Sequence, residues 1–358
     1  MKFRTSIIGV GLLLCGLQLY AQQADAGAST AAKAATFTII TFDAPNAGTG
    51  FFQGTFPVSI NPQGEITGSY IDLNNMTHGF LREPDGTFTS FDVPQAANGT
   101  APVGINPAGE IAGSYFTADF LIHGFLRKRD GTFTTFDAPT AGSNTIPVSI
   151  NPAGEITGPY FGADSAFHGF LRDRDGTFIT FNVPGVGNAN PSSINPGGAI
   201  AGIFFDANFV THGFVRARDG TFITFDTPGN IPFGFFGGLL INPGGEITGI
   251  FFDAVGSHGF LRKRDGTFTT FDAPTPGSSI NPVSINPSGA ITGRYDNNNV
   301  SHGFLRTPDG KITTFDAPGA GMGAGTFPES INPSGEITGG VSDSNPASHG
   351  FLLKLNAR

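Results

Sequence analysis

Seven histidines occur in this chain, and each opens the tripeptide His-Gly-Phe: His78, His123, His168, His212, His258, His302 and His349. Imidazole titrates near neutrality and ligates metals, so such an array invites acid–base transfer or transition-metal binding. The spacing argues against both. Intervals of 45, 45, 44, 46, 44 and 47 residues put one histidine in each copy of a repeat, where equivalent positions spread around an axis and do not converge on one ion. The residues therefore read as structural, each imidazole stacked on the phenylalanine of the fourth strand of its copy and bonded to backbone at a seam.

Carboxylates lead to the same reading. Of the 28 acids, all but Asp25, Glu83, Asp173 and Glu329 stand at repeated positions, and repeated positions give similar surroundings where an acid–base pair needs different ones. Oxygen-rich loops containing Asp72, Asp206 or the run Asp296–Asn299 suggest calcium, but most carry one carboxylate, too few for a hard cation. The patterns G-x-S-x-G, Walker A, H-E-x-x-H and C-x-x-C are absent. The glycine-rich Gly319–Gly325 follows a strand, but no helix follows it to receive a phosphate. No catalytic residue, metal or cofactor is assigned.

The elements that would position these residues are four short β-favouring runs per copy, here named a, b, c and d. In the third copy they are PVSIN, EITGPYF, FHGFLR and TFITFNVP. An I-N-P-x-G turn joins a to b, with Asn61, Asn106, Asn151, Asn195, Asn242, Asn286 or Asn332 at its first position and glycine where positive φ is wanted. Asp-Gly closes the c–d turn, and F-[DN]-x-P ends strand d. If Lys128–Gly131 form the c–d turn, Arg127 faces Thr132, Phe125 faces Thr134 and His123 faces Phe136. Gly124 would then leave room for a bulky residue of the next copy. Four strands in about 45 residues is the size of a propeller blade.

A lone d run opens the series at Thr36–Pro45, and the last copy stops after its c run, HGFLLKLNAR. The expected fold is therefore an all-β, seven-bladed β-propeller of four-stranded antiparallel blades over residues 36–358, closed by the N-terminal strand completing the last blade. Residues 1–21, with Lys2 and Arg4 before the apolar Ile7–Leu19, read as a secretory signal peptide cleaved near Ala21, and 22–35 as an Ala-rich linker. The lone Cys15 lies in that leader, so no disulfide framework exists in the mature chain. Without the two leader cations the balance is 17 basic to 28 acidic residues, which disfavours nucleic acid. No later segment is long and apolar enough to span a membrane as a helix.

The elements H-G-F-L-x-x-x-D-G-x-F and I-N-x-x-G-x-I-x-G together resemble the HAF-type repeats of probable extracellular bacterial proteins, over about residues 36–358. Gly stands where the family name has Ala. The resemblance implies export and a propeller-like repeat, and it implies no activity.

The functional expectation is a secreted or periplasmic, monomeric, non-catalytic module that binds an extracellular glycan or protein. Recognition is assigned to the rim of variable d–a and b–c links, opposite the uniform turns. Its candidate residues are Phe51, Phe52, Phe235, Phe236 and Asn188, with Arg294 and Glu329 as departures from the repeat; the four phenylalanines would either form apolar or sugar-stacking platforms or plug the central channel. The alternative is a lyase or hydrolase acting on an extracellular polymer, built from Arg294, Glu329 and one rim histidine.

Overall fold

A computed structural model describes residues 37–139, 141–227, 238–320, 325–342 and 347–356. The leader, the linker and both Phe235 and Phe236 lie outside the described residues. Those described form strands and turns without a helix. The second repeat shows the pattern: Thr100–Ile105, Ile111–Phe116, Ile122–Arg127 and Phe133–Phe136 pair in order as one antiparallel sheet. The last repeat supplies three strands, ending at Ser348–Leu355, and Phe37–Phe42 lies antiparallel to that strand with Phe37 opposite Leu355.

Turn chemistry explains the chain reversals. In the a–b turn the amide of Gly64 donates to the Asn61 carbonyl at 3.0 Å, and Gly64 sits at φ 83°. That is a type I turn followed by a left-handed glycine, whose missing Cβ removes the strain. The c–d turn is built the same way. Lys128 pairs with Thr132 through the Lys128 N–H, and Gly131 sits at φ 89°. The extra left-handed residue shifts the hairpin by one position from the register expected above. Gly124 faces Phe136, Phe125 faces Thr135, and Arg127 faces Phe133.

This shift corrects a second expectation. The space beside Gly124 is taken by Phe136 of its own sheet, since a Cβ there would stand 2.2 Å from the ring. Each d-strand phenylalanine lies across the H-G-F glycine and extends toward the following repeat, where Phe91 meets Phe125 edge-on at 6.4 Å. Such edge-to-face contacts suit rings whose faces and edges carry opposite partial charge.

The core accordingly lies between sheets. Leu81, Phe91 and Val93 of one repeat pack with Ile105, Ile111, Tyr115 and Phe125 of the next. Leu352 and Ala44 pack likewise with Ile60, Ile66, Tyr70 and Phe80, which joins the last repeat to the first. The arginine at the end of the c strand in the first six repeats crosses the same interface, its guanidinium over the preceding d-strand ring: Arg127 lies 4.8 Å from the Phe91 centroid and Arg82 4.7 Å from Phe42. Desolvation lowers the pKa of both arginines, with the turn aspartates Asp130 and Asp85 pulling the other way.

Asparagine fastens the a strands to one another. The Asn151 Oδ1 accepts from the amides of Ala153 and Glu155, while Nδ2 donates to Glu155 Oε2 at 2.6 Å and to the Asn195 carbonyl at 3.1 Å. Both halves of the amide are used, so neither aspartate nor a hydroxyl would substitute. The same donation runs from Asn195 to Asn242, from Asn242 to Asn286, from Asn286 to Asn332, and from Asn332 to Asn61. Neighbouring hairpins are also clamped by ion pairs, Arg129 to Glu65 at 2.7 Å and Arg218 to Glu155 at 2.9 Å. These contacts define one rim, made of a–b and c–d turns.

Candidate functional site

At the opposite rim the b–c and d–a links meet, as where Gln53 Nε2 donates to Asn75 Oδ1 at 2.9 Å. Here each histidine stands at the start of strand c. His78, His123, His302 and His349 hold Asp92, Asp137, Asp316 and Asp43 through Nδ1 at 2.8–2.9 Å. His212 and His258 hold Asp226 and Asp272 at 2.5 Å, and in the third repeat His168 meets Asn182 at 2.8 Å. The rings stack on strand b, His78 on Tyr70 at 4.9 Å and His258 on Phe251 at 5.1 Å. The expected stacking on the d-strand phenylalanine is thus corrected, and so is the expected bond to backbone. The shifted register places glycine, not histidine, opposite that phenylalanine, and the carboxyl one residue beyond it reaches the imidazole.

The other ring nitrogen faces the b–c loop in several repeats. His258 Nε2 is 3.0 Å from Asp253, and His168 Nε2 is 2.9 Å from Asp164. The bond to Asp272 raises the His258 pKa most, against desolvation. Desolvation acts first on His168, downward, but its bonds to Asp164 and Asn182 outweigh it and the net shift is upward. The loop aspartates also cap their own turns: Asp206 Oδ1 accepts from the amides of Asn208 and Val210 at 2.8 Å. That bonding, foremost from Val210, holds its carboxyl below the usual range. Among the described residues no group of three or more metal-ligating side chains converges.

The residues that break the repeat come together elsewhere. Among the described residues five a strands carry a bulge after their proline, as between Pro328 and Ser330, Pro57 and Ser59, or Pro282 and Ser284. The bulged residue is half-exposed Val58, Val103 or Val283 in three repeats and Glu329 in another. Serines beside the bulges bind the next a strand, Ile331 N to Ser284 Oγ at 3.3 Å and Ile60 N to Ser330 Oγ at 3.4 Å. These bonds join the a strand of one repeat to that of another beside the bulges.

Glu329 is solvent-exposed, yet the surrounding protein strips enough hydration to push its carboxyl up to about 7, against the pull of Arg294. Arg294 reaches over the Phe327 ring, 5.5 Å from its centroid. Arg294, in the strand Ile291–Asn297, and Glu329, in the strand Gly325–Ile331, thus act on each other from within strands and do not belong to the rim loops, where the sequence reading had grouped them.

Asn188 lies in a d–a link, half-exposed. Its amide ties two links together, Nδ2 donating to the Phe205 carbonyl at 2.8 Å and Oδ1 accepting from the Phe205 amide at 3.0 Å. Phe51 and Phe52 are exposed, their rings edge to face at 4.2 Å. The sequence reading missed the tips of the b–c loops, where Leu73, Phe120, Phe209 and Val255 are 72%, 72%, 69% and 89% exposed. A signal was present, because each stands inside a short polar link that gives it nothing to pack on.

No protein-family model and no curated protein sequence matches this chain. Among solved structures it is similar to a streptogramin B lyase, with 15% identity and TM-score 0.60 over 89% of this chain and 98% of the other. It is similar to a catalytically inactive variant of virginiamycin B lyase from Staphylococcus aureus, crystallised with quinupristin, with 17% identity and TM-score 0.60 over 90% and 100%. The β-propeller domain of the trilobed protease from Pyrococcus furiosus, described as having an open velcro topology, aligns with 9% identity and TM-score 0.60 over 83% and 95%. At such identities the likeness is one of fold, and the fold is all-β and propeller-like.

Proposed function

We propose that the chain is an exported, non-catalytic binding scaffold of the HAF-type repeat kind, a closed seven-bladed ring whose partner docks on the rim of b–c and d–a links. One observation carries this reading: the link rim exposes large apolar side chains at loop tips while the turn rim uses its polar groups on itself. The Asn332-to-Asn61 bond and the pairing of Phe37–Phe42 with the last strand support closure. The Lys2/Arg4 start and the apolar Ile7–Leu19 support export, with cleavage near Ala21. The partner is an extracellular glycan or protein. Screening the purified chain on glycan and protein arrays, then altering each rim in turn, tests the reading. Loss of affinity confined to turn-rim variants would refute the choice of face.

A second reading rests on Glu329. A carboxyl held at about 7 beside a cation suits general acid–base work on an extracellular polymer. It requires turnover that Glu329→Gln abolishes while the chain stays folded; undiminished turnover in that variant would remove it.

A further inference from the structure

The charges of the two rims are not alike. Between Phe37 and Leu355 every Lys or Arg outside the strands lies in a c–d turn, as Lys128, Arg129, Arg174, Arg218, Lys263 and Lys311 do. The d–a and b–c links contain none. They carry instead the aspartates at the ends of the d strands and those of the b–c loops, such as Asp72, Asp119, Asp206 and Asp253. The turn rim balances its acids with cations, some in direct ion pairs, Arg129 with Glu65 and Arg218 with Glu155. The link rim has only imidazoles against its carboxylates.

The same loops that carry these aspartates carry the exposed apolar tips. Asp119 precedes Phe120, and Asp206 stands three residues before Phe209. Both phenylalanines hold positive φ, 62° and 61°, with the ring in solvent. A surface that joins apolar tips to carboxylates faced by imidazoles and by no Lys or Arg of the links is complementary to one chemistry, apolar groups interleaved with cations. It repels the anionic lipids that would otherwise accept such tips.

Resting on the link-rim reading above, we infer that the partner is a cationic amphipathic polypeptide segment, its Lys or Arg side chains meeting the rim aspartates and its apolar side chains meeting Phe120, Phe209, Leu73 and Val255. The carboxylates steer the encounter and set its salt dependence, and the apolar tips separate this partner from a merely basic chain.

The test is fluorescence anisotropy on the full chain with three labelled peptides of about 20 residues. One alternates Leu and Lys at helical spacing, one replaces Leu by Ser, and one replaces Lys by Gln. The Leu/Lys peptide should bind at least about tenfold tighter than either other and weaken about tenfold between roughly 50 and 300 mM salt. The pair F120S and F209S should remove the preference for Leu over Ser, and D119N with D206N should flatten the salt dependence. Asparagine keeps the acceptor that caps the loop, so circular dichroism should show these variants folded. Equal binding of the Lys and Gln peptides would overturn the cationic partner, as would a response to neutral or anionic vesicles in place of peptide. In either case link-rim docking of another ligand could still stand. Loss of binding on replacing Arg129 and Lys263, with F120S/F209S unaffected, would overturn both readings.

Discussion

The turn rim and the link rim are made from the same repeats and meet opposite demands. At the turn rim every residue type is set by a bond it must make, asparagine because both ends of its amide are used and glycine because φ is positive. At the link rim the histidine–aspartate pairs repeat, but the residues beyond them differ in length and hydrophobicity. Uniformity marks where repeats hold one another, and variation marks where nothing in the fold constrains the side chain. An exposed apolar residue means more in the second setting than in the first.

The contrast is tested most severely at the asparagine links. Asn151→Asp keeps the shape and the two acceptors but removes the donor to Asn195 and sets a carboxylate against Glu155. A loss of about 3 kcal/mol is expected at pH 8 by urea unfolding, partly recovered toward pH 5 as the pair takes up a proton. A change below about 0.5 kcal/mol would mean that the links are not what fastens the turn rim. Gly124→Ala should cost about 2 kcal/mol, because Phe136 fills the space a methyl would need. The same substitution at Gly185, where a methyl would meet nothing within 4 Å but φ is 80°, should cost less, reflecting backbone strain alone.

Between the rims, Glu329→Val restores the residue found at the same bulge in other repeats. A carboxyl raised from 4.5 to about 7 by folding binds more protons in the folded state between those values, so it lowers stability as pH rises through that window. Glu329 is solvent-exposed, so solvent screens much of this, and the gain on substitution should be on the order of 1 kcal/mol at pH 8 and vanish below pH 4.5. Thermal melts of both proteins across that range check the sign. The smallest effect is expected at the link rim, where Phe120→Gly relieves a left-handed backbone and leaves no cavity. Stability should rise by about 0.5 kcal/mol or stay unchanged; a loss near that of Asn151→Asp would show that the tip is packed and not presented.

Much of the architecture was legible in the residues alone. Four strands per copy follow from alternating apolar runs between turn signals, and the glycines at N-P-x-G and D-G took the positive φ their turns require. The histidine environment was not legible, for one physical reason. The c–d turn uses a left-handed glycine that adds a residue to the loop, so pairing slipped by one and every partner of strand c changed. A cue was available in the constant interval of 14 residues between each of the first six histidines and its F-[DN] partner, the last histidine taking Asp43 from the chain's start, which a sheet register alone explains. Glu329 and Arg294 stood out as departures from the template, but the bulge that carries Glu329 depends on pairing to the next strand and leaves no mark on one copy.

The pairing of Phe37–Phe42 with the last strand has a mechanical consequence. Phe37 lies opposite Leu355, so the chain enters and leaves this fold side by side at the turn rim. Tension applied between those two points would part the six facing residue pairs one after another, as a zip opens, instead of loading them all together in shear. Resistance to pulling is therefore lowest at that junction, while the asparagine links and arginine–phenylalanine contacts of the other repeats carry no load until it has opened.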